Sequence, residues 1–222
     1  MKTIVKQRST TFTTKEMVTI GLLAGLAYVL MFLRLPFKYL GFLEIEFSDI
    51  PAVFAALQFG PFAGVIVELV KNLIKALTAT TTGTVGELAN FIISIAYVIP
   101  VGILYKLKKG SANTKAKNTL KSDSSNITAV SQKYLYLVFI FAVGTFCMTL
   151  TGAILNYFVT IPLYATLFGG MSVVVGSAAK FLPIIKDINT LVFLGITPFN
   201  IVKGIGMSVI GYYTFYFLRN RL

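Results

Sequence analysis

The chain of 222 residues contains no histidine and a single cysteine, Cys147. One cysteine excludes a disulfide within the chain, and the lack of histidine excludes Cys/His zinc sites, haem ligation by histidine and Ser-His or Cys-His catalysis. The sequence also lacks a G-x-x-x-x-G-K-[ST] loop, so any ATP hydrolysis must come from other polypeptides. We therefore predict a protein that is not an enzyme, with no metal site and no bound cofactor.

Charged residues are scarce as well, because they make up 13% of the chain against roughly 25% in soluble domains. Hydrophobic residues account for 56% of the chain. Several apolar runs approach or exceed the ~20 residues that cross a ~30 Å hydrocarbon core. The composition predicts an all-α membrane protein that lies in a lipid bilayer.

The net charge of +12 is compatible with nucleic-acid binding. However, most of the basic residues lie in the polar segments that separate the apolar runs, which is the pattern of a membrane protein that follows the positive-inside rule. We therefore predict no nucleic-acid partner. Six transmembrane helices would place both termini and the 106–133 segment on one side. These three regions hold 13 of the 20 Lys and Arg residues, which predicts cytoplasmic termini.

We predict a single membrane domain over residues 1–222. Its parts are a cytoplasmic tail (1–15), spans 1–4 (16–108), a cytoplasmic linker (109–132) and spans 5–6 (133–222) with an extracellular connection at about 165–190. The linker is predicted to be solvated because its Ser, Thr, Asn and Lys residues cannot bury enough apolar surface to fold.

Gly60-Pro61 interrupts the second apolar run and predicts two spans joined by a tight turn, with a single kinked helix as the alternative. Before this break, apolar and polar residues alternate over 43–48, which predicts a short extended segment. Ser48 or Asp49 is then expected to cap the next helix.

Span 3 carries charges that need an explanation, because intramembrane charges are expensive. Glu68 needs a partner, and Lys71 and Asn72 lie three and four residues further on, along the same helix face. Lys75 is near enough to the end of the span for its ammonium to reach the membrane surface. We interpret the group as an ion pair or hydrogen bond that holds helices in register.

Polar side chains recur at one depth near the outer ends of three spans. Asn90 lies in the first turns of span 4, Asn156 near the outer end of span 5, and Asn200 and Lys203 in the outer turns of span 6, which is predicted to begin at about Pro198. Amide and ammonium groups at one depth suit a flat, neutral ligand rich in heteroatoms, which enters from outside. For Asn156, Asn200 and Lys203, hydrogen bonding between helices is the alternative.

Other residues border this polar group. Glu87 shares a helix face with Asn90, but Thr84-x-x-Glu87 also has the spacing of a capping box, which explains Glu87 without a ligand. Aromatic residues that are candidates to flank a bound ring, or else simply to pack, are Phe42, Phe91, Tyr157, Tyr164 and Phe199.

In span 1, Gly21 and Gly25 are four residues apart with Ala24 beside them. Small residues at this spacing predict a surface that another helix can approach closely. The spacing favours neither a partner protein nor packing within the subunit.

Four stretches of the chain together resemble a known family. They are FLEIEFSDIPAVFAALQFGPFAGVIVELVKNL at 42–73, TTGTVGELANF at 81–91, ILNYF at 154–158 and TPFNIVKG at 197–204. The chain resembles the membrane-embedded substrate-binding subunits (S components) of energy-coupling factor (ECF) vitamin transporters, specifically the riboflavin-specific type. The resemblance covers the chain apart from the tail and the linker.

This resemblance implies a six-helix S-component bundle in the bacterial cytoplasmic membrane. It implies that the protein captures riboflavin from outside, as a transported ligand and not as a cofactor. The implied partners are a transmembrane coupling subunit and two ABC-type ATPase subunits. By the resemblance, Asn156, Asn200 and Lys203 correspond to positions that bind the isoalloxazine ring.

The resemblance also implies two roles outside the ring site. The loop around Leu40–Glu46, which contains Leu43 and Glu44, would close over the ligand. In the family, alanines four residues apart on the first span dock on the coupling subunit. Gly21 and Gly25 stand in those places here, so the pattern is altered.

Two other functions stay open at this point. Another vitamin such as thiamine could be the ligand, although a cationic thiamine would lie unfavourably beside Lys203. A proton-coupled carrier would use Glu68 with Lys71 or Lys75 as its titrating pair.

Overall fold

The computed structural model describes residues 12–33, 38–80, 82–118 and 126–218. Within these ranges all regular secondary structure is helical, as the composition predicts. The helices are α1 (Thr14–Leu30), α2 (Ile50–Phe59), α3 (Pro61–Thr78), α4 (Val85–Asn118), α5 (Asn126–Leu155), α6 (Ile161–Phe168), α7 (Met171–Ala179), α8 (Ile188–Thr190) and α9 (Thr197–Leu218). Two π-helical segments, Asn156–Thr160 and Leu191–Ile196, join α5 to α6 and α8 to α9 without a break.

Side-chain caps fix the start of two helices. The Thr13 hydroxyl accepts from the Glu16 backbone N–H at 3.3 Å, and the Glu16 carboxylate accepts from the Thr13 N–H at 2.8 Å, which is a capping box for α1. Asp187 caps α8 by accepting from the backbone N–H of Thr190 at 2.8 Å. This hydrogen bond lowers the pKa of the Asp187 carboxyl because it favours the charged form.

α2 and α3 are separate helices joined at Gly60, so the predicted tight turn is confirmed. Gly60 has a φ of +109°, which favours glycine, and Pro61 opens α3 where its missing N–H costs nothing. α2 has only 10 residues, and all of its residues from Pro51 to Leu57 are buried. It packs inside the bundle against α3, α4 and α9.

In the described part of the chain, three helical runs are long and apolar enough to cross a membrane. They are Val85–Gly110, Tyr134–Phe168 and Ile188–Leu218. The apolar segments predicted as spans 1 to 3 are also helical, but α1 has 17 residues, α2 has 10, and α3 contains Glu68, Lys71 and Lys75. Length and composition alone therefore identify three of the six predicted spans.

The structure differs from the predicted linker. α4 continues through residue 118 and α5 begins at 126, so a large part of the predicted linker is helical. Both extensions continue long apolar helices, which remove the cost of nucleation. The segment 43–48, predicted as extended, contains no helix, and Leu43 forms an isolated bridge with Tyr39 across the turn at 40–42.

The last helical run begins at Ile188, ten residues before its predicted start at Pro198. Proline is tolerated there because the preceding turn is π-helical, with the Thr197 N–H bonded to the Val192 carbonyl. The tail over 1–11 and the basic residues Arg219 and Arg221 lie outside the described residues.

Two apolar clusters form the interior. The first core cluster lies among α1, α2, α3, α4, α5 and α9 and contains Phe54 and Tyr97. The second core cluster joins the 38–49 loop to α6, α7 and the π-helical segment before α9, and contains Leu40 and Ile161. The two clusters are therefore built from different helices.

Gly64 allows α3 to approach α2 closely in the first core cluster. A Cβ at this position would lie 2.7 Å from the Ala52 carbonyl oxygen and 2.9 Å from the Ala56 Cβ. Backbone atoms at such a distance cannot move aside cheaply.

We expect Gly64→Ala to lower the thermal unfolding midpoint in detergent, because overpacking a dense core costs about 1–3 kcal/mol. Gly21→Ala is the matched control, since a Cβ on Gly21 meets nothing within 4 Å. Far-UV circular dichroism during heating measures both variants. Equal midpoints for the two variants would show that Gly64 does not set the α2–α3 distance.

Candidate functional site

A cavity of about 360 Å³ lies between the two core clusters and falls in the size range of small-molecule sites. Its walls come from the 38–49 loop, α3, α4, α6, α9 and the π-helical segment after α5. The predicted site residues that line it are Phe42, Leu43, Glu44, Glu87, Asn90, Asn156, Asn200 and Lys203. Residues far apart in sequence thus meet around one space.

Like Phe91, Tyr157 is a predicted candidate for ring contact that does not line the cavity. Its ring packs with the second core cluster and lies edge-on to Phe158, with ring centroids 4.9 Å apart. The π-helical turn directs its neighbour Asn156 and also Thr160 to the cavity, so Tyr157 faces elsewhere. The aromatic walls come instead from Phe42, Tyr164 and Phe199.

Asn156 and Asn200 are both buried at the cavity, and they differ in their hydrogen bonds. Asn156 Nδ2 donates to the Gly152 carbonyl at 2.7 Å. Asn200 Nδ2 is buried without a hydrogen-bond partner among the described residues. Gly152 makes room for this amide, because a Cβ at Gly152 would collide with it. A buried donor without a partner in a cavity is expected to meet a ligand or water.

Lys203 extends from α9 to the cavity, where its side chain is 9% exposed. Its Nζ lies 2.7 Å from Asp49 Oδ2 and donates to Asn90 Oδ1 at 3.1 Å. An ammonium group has three protons, so one N–H remains for a ligand.

Asp49 is the centre of a buried ionic network. Its Oδ1 accepts from Lys71 Nζ and, at 3.1 Å, from Ser94 Oγ. Lys71 Nζ also lies 2.8 Å from Glu68 Oε2, which confirms that Glu68 has the partner predicted from its helix face. Asp49 does precede α2 as predicted, but its side chain makes no capping hydrogen bond because both oxygens bind lysines.

Asn90 links this network to the 38–49 loop. Its Nδ2 donates to Glu46 Oε1 and to Asn72 Oδ1, both at 3.2 Å, while its Oδ1 accepts from Lys203. Asn72 in turn donates to the Glu68 carbonyl at 2.8 Å. The helix-to-helix hydrogen bonding that was an alternative for Lys203 is therefore present, to Asn90, together with the position of Lys203 at the cavity.

Glu87 does not use the predicted capping box with Thr84. Its Oε2 accepts from the Thr80 hydroxyl at 3.0 Å and from the Thr82 hydroxyl at 3.1 Å. Thr84 has a φ of +71°, and its backbone N–H donates to Thr80 Oγ1. The turn before α4 is thus held by threonines that precede it, and Glu87 stays at the cavity wall.

Five polar residues at the cavity were not predicted as site residues: Lys38, Glu46, Lys75, Thr82 and Thr160. The alternation over 43–48 puts Glu46 on the same side as Glu44, so that signal was available. Thr160 lies four residues after Asn156, which also places it on the cavity side. Lys75 was predicted to reach the membrane surface, and it lies half-buried in the cavity wall.

The small residues of α1 do not share one face. Gly21 and Gly25 are exposed, and a Cβ at either would meet nothing within 4 Å. Ala24 is 1% exposed and packs in the first core cluster. Ala24 is therefore not accessible to a partner, because it is adjacent to Gly25 and successive residues of a helix point about 100° apart.

Comparison with known proteins identifies the family. The family described as "ECF transporter, substrate-specific component" matches residues 15–213 of the chain. The chain belongs to this family of ECF S components. The riboflavin transporter FmnP of Bacillus subtilis (strain 168) is 35% identical over 199 residues, which cover 88% of this chain and 87% of that protein. The riboflavin transporter RibU of Staphylococcus aureus (strain TCH60) is 32% identical over 197 residues, covering 88% and 86%.

The fold of this S component agrees with a solved relative. A structure described as the S component of a bacterial ECF transporter has a TM-score of 0.63 and 30% identity to this chain, and covers 93% of this chain and 96% of that one. The S component is therefore an all-helical membrane transport protein and not an enzyme, as predicted.

We expect Lys71→Met to destabilise this S component by about 3–5 kcal/mol, because it leaves the buried Glu68 carboxylate without its partner. Adding Glu68→Gln should recover part of the loss, since it removes one of the two carboxylates that Lys71 pairs with, while Asp49 keeps Lys203. Thermal unfolding in detergent measures both variants. If the double variant is no more stable than Lys71→Met, Glu68 and Lys71 do not stabilise the protein as a pair.

Proposed function

We propose that this S component is the high-affinity riboflavin-binding subunit of an ATP-driven ECF uptake transporter, and that it captures riboflavin from the outside. The observation that carries the proposal is the buried, unpartnered Asn200 amide in a cavity shared with Asn156 and Lys203. The names of the relatives, riboflavin transporters FmnP and RibU, support riboflavin over another vitamin.

The cavity chemistry suits the isoalloxazine ring. That ring is flat, with carbonyl oxygens that accept hydrogen bonds and an imide N–H that donates one. In the proposal Asn200 Nδ2 and the remaining N–H of Lys203 donate to ring acceptors, and Asn156 contributes its Oδ1. Phe42, Tyr164 and Phe199 supply aromatic walls for the ring faces, drawn from three separate elements. We assign no contact with the ring to Tyr157, whose side chain packs elsewhere.

The polar rim of the cavity suits the hydroxyls of the ribityl chain. Glu87 and Glu44 are carboxylates at the wall, and carboxylates accept from hydroxyl donors. Glu44 lies 3.0 Å from Lys38 within the 38–49 loop. In the proposal this loop, with Leu43 at the cavity, closes over the bound vitamin.

We propose six membrane-crossing helices, formed by α1, α2, α3, α4, α5 with α6, and α9, in the bacterial cytoplasmic membrane. The three long apolar runs support α4, α5 with α6, and α9 as spans. Cytoplasmic termini follow from the distribution of Lys and Arg. With this orientation the cavity opens toward the outside.

The proposed partners are a transmembrane coupling subunit and two ABC-type ATPase subunits. Gly21 and Gly25 are the proposed docking residues, because they leave a groove on the exposed side of α1. Their neighbours Leu22 and Leu26 are 70% and 49% exposed, so this side of α1 is apolar as well as small.

We expect the purified protein to quench riboflavin fluorescence on binding, and Asn200→Ala or Lys203→Met to weaken that binding about tenfold or more, since each removes a donor from a buried site. Asn189→Ala is the matched control, because this exposed asparagine lies outside the cavity. Wild-type binding only in the millimolar range would refute riboflavin as the ligand.

We expect proteoliposomes with this chain alone not to accumulate riboflavin, even with a proton gradient. With the coupling subunit and the ATPases, ATP should drive accumulation. Uptake by the chain alone on a proton gradient would favour the proton-coupled carrier instead, with the buried Glu68–Lys71 pair as its candidate titrating groups.

A further inference from the structure

The position of Lys203, a proposed ligand-binding residue, depends on a charged group outside the cavity wall. Asp49 does not line the cavity, yet its Oδ2 lies 2.7 Å from Lys203 Nζ. We infer that Asp49 is a positioning residue for ligand binding, which acts by fixing the Lys203 ammonium and balancing its charge. This inference rests on the proposed function.

Asp49 is itself held in a single arrangement. Its side chain is 1% exposed, and its Oδ1 is occupied by Lys71 Nζ and Ser94 Oγ. Lys71 cannot move freely, because Glu68 and Ser48 also bind its ammonium at 2.8 Å and 3.0 Å. The second carboxylate oxygen of Asp49 is therefore directed at Lys203 by contacts from α3 and α4.

Lys203 needs such a partner because a lysine side chain is flexible. Four rotatable methylenes let the ammonium adopt many positions, whereas Asp49 and Asn90 together restrict it to one. These two contacts set the position of the ammonium at the cavity, and it keeps an N–H for the ligand. Groups that orient a binding residue in this way often matter nearly as much as the residue itself.

The charge of Lys203 is a second reason why it needs Asp49 as a partner. The isoalloxazine ring is neutral, so it cannot offset the charge of an ammonium that loses water when the ligand enters. A buried charge without a counter-charge is costly. Asp49 supplies this counter-charge from the protein, so Lys203 can donate to a neutral ring in a closed cavity.

The test is a double-mutant cycle of riboflavin binding, read as flavin fluorescence quenching, with Asp49→Asn, Lys203→Met and the double variant. We expect Asp49→Asn to weaken binding about 30-fold. In the Lys203→Met background the same substitution should weaken binding by less than about threefold, because its effect passes through Lys203. Glu68 and Lys71 remain paired in Asp49→Asn, which supports folding.

A second pair of variants keeps every charge. Ser94→Ala removes one donor to Asp49 and touches neither Lys203 nor the cavity wall. It should weaken binding about fivefold, and not at all in the Lys203→Met background. Tyr97→Phe is its matched control, because it removes a hydroxyl from the same helix that bonds Ser208 at 2.7 Å and not Asp49.

The outcomes separate the inference from the proposed function. Wild-type protein that fails to bind riboflavin overturns both. Wild-type binding together with an unchanged Asp49→Asn variant, or equal losses with and without Lys203, overturns the inference alone. If Asp49→Asn does not fold, the Ser94→Ala variant tests the inference instead. A riboflavin affinity equal to that of Tyr97→Phe overturns the inference. A loss of affinity that occurs only in proteins that retain Lys203 supports it.

Discussion

The buried Asp49 carboxylate, through its contacts with two lysines and Ser94, joins four elements of the fold. Asp49 stands where the 38–49 loop becomes α2, Lys71 comes from α3, Lys203 from α9, and Ser94 from α4. Each of these charges would be costly alone in an apolar interior. Their mutual pairing explains how a chain with so few charges keeps several of them inside its helices, and it connects the loop, the bundle and the cavity.

The fold was predictable where its cause is local. The Gly60-Pro61 break, the turn before α4 and the apolar runs are visible in the sequence, because glycine, proline and hydropathy act over a few residues. The buried α2 was harder to interpret, since a 10-residue apolar helix is defined by the neighbours that cover it. The early start at Ile188 was missed because Pro198 reads as a helix start unless the π-helical turn before it is known.

The grouping of the polar residues could be predicted as well. Asn90, Asn156, Asn200 and Lys203 line one cavity, because polar residues at matching depths in apolar helices have few explanations; their role in ligand binding stays a prediction. Asp49 was assigned to a cap, because a local role looked sufficient and its lysine partners are 22 and 154 positions away in the chain. Tyr157 and Ala24 point elsewhere for a simpler reason. Each is one residue from Asn156 or Gly25, and adjacent residues of a helix point about 100° apart.

The two π-helical segments set the direction in which two parts of the cavity wall face. Each π turn holds one residue more than an α-helical turn would, and both occur in helices that border the cavity. The wider turn absorbs this residue. If residues 156–160 formed regular α-helical turns instead, everything after them would be rotated by about 100°. Tyr164 and Phe168 would then leave the cavity, although every cavity-lining side chain was still present. The geometry of one turn therefore decides, together with residue identity, which side chains form this wall.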